Sequence, residues 1–125
     1  RLAPVVAPVA KRWADEVRAT LAAVEHQAAA WPALAAEARE LQARPAADAL
    51  YHALAAGLLL AEGQVRLDRA ADGRKMAAAA LYIRRWLRPR AAWDPVFTAA
   101  QLALTGSLAD WRPVAPESLA GLDGR

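Results

Sequence analysis

The 125-residue chain contains no cysteine, two histidines, one phenylalanine and one methionine. Each shortage removes a kind of chemistry. Without Cys there is no disulfide staple, no thiol nucleophile and no thiolate metal ligand. The absence suits a cytoplasmic protein, which is the expected location. The histidines, His26 and His52, both lack the Glu three residues earlier that di-iron helical bundles use. Glu25 adjoins His26, but neighbours on a helix diverge by about 100°. No metal site is expected. His26 is expected near an exposed helix end and His52 at a helix–helix seam.

Serine is almost as scarce. Ser107 and Ser118 are the only two, and neither lies in a Gly-x-Ser-x-Gly elbow. The glycines are isolated, so there is no Gly-rich phosphate loop. Among the carboxylates, Asp15 and Glu16 are adjacent and face apart on a helix, and Glu37 and Glu40 read as surface charge. Glu62 follows a long apolar run and is expected to pair with Arg66 one turn on. No catalytic constellation emerges. The longest uncharged apolar run, Ala53 to Ala61, is far short of the roughly 20 residues that span a bilayer. No apolar signal segment follows Arg1-Leu2-Ala3-Pro4. The chain does not open on Met, which leads us to expect a fragment or a processed product.

What the chain does have is alanine and leucine. Hydrophobic residues make up 57 % of it, and Ala supplies most of the excess. Ala is the best helix former, and β-branched residues are few. The expected fold is all-α, an up-and-down bundle of about five helices over residues 1–111. A Pro- and Gly-containing tail over 112–125 is expected to be irregular or partly disordered.

Prolines set the expected boundaries. Pro8 suits a first helical turn, and Val9, Trp13, Val17, Leu21, Val24 and Ala28 then recur on one face to about Ala30. Trp31-Pro32 ends this helix. A short helix is expected from Pro32 to about Ala43, with Leu34, Ala38 and Leu41 as its apolar stripe. Pro45 ends it and starts a third, from Ala46 to Ala71. There Leu50, Leu54, Leu58, Ala61 and Val65 face one way, widened by Leu59 and Leu60. So wide a stripe implies burial on more than one side. Gly57 is expected to mark a close helix crossing. Asp72-Gly73 is expected to break the chain before a fourth helix, Arg74 to Leu87, with a continuous helix over 46–87 as the alternative. Asp94-Pro95 starts a fifth, to about Ala109.

Arg84, Arg85, Arg88 and Arg90 cluster with Trp86 and Trp93. Arg and Trp are enriched at binding hot spots, and Arg pairs well with phosphate. Cations at a helix C-terminus also satisfy the helix dipole, with Trp86 packing on the core. Asp68, Asp72 and Asp94 dilute the cluster, so a nucleic-acid surface is the weaker expectation. A second candidate group is Tyr51, His52, Glu62 and Tyr82, the polar residues of a pocket between helices three and four.

The segment from Leu50 onward resembles the C-terminal helical region of acyl-CoA dehydrogenase-like flavoproteins. The residues are Ala49-Leu50-Tyr51-His52, the Ala/Leu run to Glu62-Gly63, Arg74-Lys75 opening a helix with Leu81-Tyr82 and Arg84-Arg85, and Asp94-Pro95. It covers about 50 residues. The resemblance implies a helical bundle, FAD chemistry on acyl-thioesters in the parent protein, and self-association or packing on a neighbouring domain. The chain lacks a Gly-rich flavin segment, the flavin-clasping β-domain and a catalytic base. The expectation is therefore a non-catalytic accessory domain, with no cofactor held by this piece.

Overall fold

The computed structural model describes residues 6–88 and 99–123. Four α-helices form within them: α1 (Val6–Ala30), α2 (Ala36–Ala70), α3 (Arg74–Trp86) and α4 (Ala99–Ala109). Short 3-10 segments cover Trp31–Ala33 and Pro116–Asp123. The fold is all-α, with no strand among the described residues. No described helix is long and apolar enough to cross a membrane. The proposed helix start at Asp94-Pro95 lies outside the described residues.

The count is four because the expected second and third helices are one. α2 runs through Pro45 without a break. An internal proline costs a helix about 3 kcal/mol by removing one hydrogen bond and crowding the carbonyl four residues back. That carbonyl belongs to Leu41, which is itself highly exposed, so water can satisfy it. The alanine-rich sequence on both sides does the rest.

The inward face of α2 also differs from expectation. Ala46, Ala53, Ala56, Leu60, Gly63 and Leu67 are buried. Leu50, Leu54, Leu58, Ala61 and Val65, expected to form the core stripe, are exposed instead. Small residues win the inward face because they let neighbouring backbones come close. The close crossing falls at Gly63, not Gly57. A Cβ on Gly63 would stand 2.9 Å from the Met76 backbone nitrogen, whereas one on Gly57 would meet only Val17 Cγ1 at an ordinary 3.8 Å. The core is completed by Trp13 and Val17 of α1, by Met76, Ala77, Ala79, Ala80 and Ile83 of α3, and by Leu104 of α4.

Asp72-Gly73 breaks the chain as expected, by a different device. Ala71 carries the left-handed conformation at φ 49°, while Gly73 has an ordinary φ of −83°. Gly73 is needed for space: a Cβ there would lie 3.1 Å from the Val114 carbonyl oxygen and 3.3 Å from Leu119 Cδ1. Asp72 accepts the Arg74 backbone N–H at 3.1 Å and so caps α3.

Residues 112–115 are irregular, but Pro116–Asp123 form a 3-10 helix, and both Val114 and Leu119 are buried. Gly73 donates its N–H to the Val114 carbonyl at 2.9 Å. Arg74 pairs with Asp72 at 2.7 Å and donates through Nη1 to the Trp111 carbonyl at 2.8 Å. Prolines here stop α-helices without stopping two apolar side chains from filling the end of the bundle.

Candidate functional site

Three of the four pocket candidates meet at the α2–α3 seam. His52 stacks on Trp86, with ring centroids 4.3 Å apart and planes 8° from parallel. Its Nδ1 lies 2.7 Å from Tyr82 Oη. Tyr51 stands edge-on to the His52 ring at 5.2 Å. Sequence spacing explains the set. Tyr82 and Trp86 are one turn apart on α3, so both face the one turn of α2 that carries Tyr51 and His52. Burial, and secondarily Tyr51, push the Tyr82 hydroxyl above its usual range. A phenol that keeps its proton can donate to Nδ1, leaving Nε2 as the N–H of the ring.

Glu62 is not part of this group. It is exposed and pairs with Lys75 of α3 at 2.7 Å. The pair holds its carboxyl below the usual range, through Lys75 first and Arg66 last. The expected ion pair therefore forms mainly across helices. Sequence spacing within one helix could not reveal a partner brought in by the Gly63 crossing.

The Arg/Trp cluster divides. Trp86 does not pack into the core but is 48 % exposed, with the Arg85 guanidinium 5.0 Å from its ring. Arg88 makes a two-pronged contact with Glu16 of α1, at 2.9 and 2.8 Å. That clasp joins the end of α3 to α1 and commits one of the four arginines to the fold. Arg84 is half-buried and Arg85 exposed; Arg90 and Trp93 lie outside the described residues. His26 is exposed. No group of three or more potential metal ligands occurs among the described residues.

A cleft of about 300 Å³ opens between α1, α2 and α3, bordered by Ala10, Ala14, Leu60, Gln64 and Met76. None of Tyr51, His52, Glu62 and Tyr82 borders it. Its small apolar walls, with Lys11 and Gln64 as polar groups, offer no set of donors for a flavin ring and diphosphate. The residues bordering this cleft do not fit FAD.

One exposed apolar surface contains Leu54, Leu58, Ala61 and Val65, which the sequence spacing places in the core stripe. Along the outward side of α2, Ala47, Tyr51, Leu54, Leu58, Ala61 and Val65 follow one another at alternating intervals of three and four. Tyr51 is 67 % exposed, Leu54 53 % and Leu58 68 %. This stripe lies opposite the buried Ala56 and Gly63. Single exposed apolar residues are ordinary, but contiguous stripes mark interaction sites. Comparison with protein-family models, curated proteins and solved structures finds no match for this chain.

Proposed function

We propose that the chain is a non-catalytic helical domain that packs against another helical surface through the outward face of α2. The observation that carries this is the exposed stripe from Ala47 to Val65, set at the interval by which helices pair. Leu54 and Leu58 leave more than half of their surface in water, and covering it against a partner would contribute roughly 1 kcal/mol each. The aromatic group of His52, Tyr82 and Trp86 meets the stripe at Tyr51. A parent protein of the acyl-CoA dehydrogenase-like class, with FAD held elsewhere, is supported by the sequence resemblance alone. The packing role does not depend on it. A small-molecule pocket is disfavoured because its candidate residues do not border the cleft. A nucleic-acid role is disfavoured because Arg88 is engaged by Glu16.

Leu54→Glu and Leu58→Glu test the role of the face. Both variants should keep their helical circular dichroism and a Tm close to that of the unaltered chain, while losing binding of a dye that reports exposed apolar surface. Loss of the fold in both variants would place the face in the core and end the proposal.

A further inference from the structure

Asp72-Gly73 is a chemically labile pair as well as a helix joint. The Gly73 backbone nitrogen can attack Asp72 Cγ, because glycine sets no Cβ beside it. The nitrogen gives up its proton and the carboxyl its hydroxyl, so one water leaves and a cyclic imide remains. Water then adds back. Addition at Cγ restores aspartate. Addition at the former backbone carbonyl gives isoaspartate, with the chain rerouted through Cβ and Cγ. Mass is unchanged, and nothing is oxidised or reduced.

Both reacting groups are held by the segment that follows α4. The Gly73 N–H donates to the Val114 carbonyl at 2.9 Å. The Asp72 carboxylate accepts the Val114 N–H, so one residue engages nucleophile and electrophile together. Arg74 grips the same carboxylate through Nε at 2.8 Å and Nη2 at 2.7 Å, and ties it to the segment through the Trp111 carbonyl. A carboxylate held ionised by a guanidinium is a poor electrophile, since its oxygen must leave as water. The Asp72 side chain is only 15 % exposed, and the buried Leu119 packs against Gly73. We infer that residues 111–119 guard Asp72-Gly73 against isomerisation, and that Asp72 becomes a site of isoaspartate formation once this segment leaves the bundle. Cyclisation must break the bond from Gly73 to Val114, so its rate follows the fraction of time the corner is open. In the product the free carboxylate hangs directly on Cα and the backbone is one carbon longer. The clasp with Arg74 no longer forms, and the segment cannot reseat as before. Its release is thereby recorded in the covalent chain.

The test follows isoaspartate at position 72 over time in the full chain at neutral pH. Mass spectrometry with electron-transfer fragmentation separates the two isomers and scores Asp123-Gly124, the other such pair in the chain, apart. The same chain in guanidinium chloride gives the unguarded rate. The folded chain should isomerise at 72 at least about tenfold more slowly. Leu119→Gln puts an amide where a buried leucine closes the corner. It should return the rate at 72 toward the unguarded value while helical circular dichroism persists. Val114→Pro removes the N–H that engages Asp72 but keeps the carbonyl that engages Gly73, and should raise the rate about threefold. Equal rates in the folded and unfolded chain overturn the inference. So does a folded Leu119→Gln chain that isomerises as slowly as the unaltered one. If Leu119→Gln unfolds, Val114→Pro decides: a raised rate upholds the inference and an unchanged rate overturns it.

Discussion

The two faces of α2 are built on opposite rules. The inward face is mostly alanine and glycine, and is fully buried. The outward face carries Tyr51, Leu54, Leu58 and Val65, all of them exposed. Residue size alone would reverse the two. The contrast shows that what decides burial within this chain is how closely backbones approach, not how much apolar area each side chain offers. Larger side chains on the opposite side are free to serve a contact outside the chain.

The sharpest way to break this contrast is to fill the inward face. Gly63→Ala places a methyl within 3 Å of the α3 backbone, which cannot move aside as a side chain could. It should cost about 3 kcal/mol. Thermal melts should show a Tm lower by roughly 10 °C. An unchanged Tm would mean α2 and α3 do not cross at Gly63.

A smaller loss is expected at the joint that sets the crossing. Asp72→Asn removes the charge that Arg74 and the Val114 N–H engage, at about 1–2 kcal/mol. Arg74 above all holds the Asp72 carboxyl below its usual 3.8, against the opposing effect of burial. A carboxyl depressed in the folded state contributes stability above its unfolded value, and that contribution is lost as pH falls through the folded one. Urea midpoints of the unaltered chain and the variant should therefore differ at neutral pH and converge as pH falls below the usual carboxylate range. A constant gap would show that the charge is not the source.

Gains are expected where space is open. Gly57→Ala adds a methyl at ordinary contact distance from Val17 and removes a flexible residue from a helix interior. It should raise stability by about 0.5–1 kcal/mol, the opposite sign from Gly63→Ala in the same helix. Ala71→Gly relieves a left-handed φ of 49° and should add about 0.5 kcal/mol, since part of the relief is offset by greater freedom in the unfolded chain. Chemical denaturation reads both.

Much of this architecture is legible in the sequence. The single face of α1 from Trp13 to Val24, the stop at Trp31, and the break at Asp72-Gly73 follow from periodicity, proline and capping. The Pro45 boundary misleads because a lone proline outweighs its neighbours only where the lost hydrogen bond is buried. Val114 and Leu119 are hidden among residues that read as tail, since nothing local says that the gap beside Gly73 needs filling. At the candidate site, Tyr51, His52 and Tyr82 are expected to line a pocket; they lie together at the α2–α3 seam but do not border the cleft. Trp86 is expected in the Arg/Trp contact cluster or packed on the core, not stacked on His52, and Glu62 beside Arg66, not Lys75. Both errors arise because the helix crossing point, fixed by Gly63, is a tertiary fact. The spacing of Leu54, Leu58, Ala61 and Val65 was plain, but an amphipathic pattern does not say which of two apolar faces belongs to the chain itself.

The knot of Asp72, Gly73, Arg74, Trp111 and Val114 also orders events in time. A ribosome delivers α1, α2 and α3 well before Val114 and Leu119, so the nascent chain must wait with the α2–α3 corner unplugged. Only when those two apolar side chains emerge can the corner lock. Synthesis halted just before them should leave a loosely joined, protease-sensitive precursor.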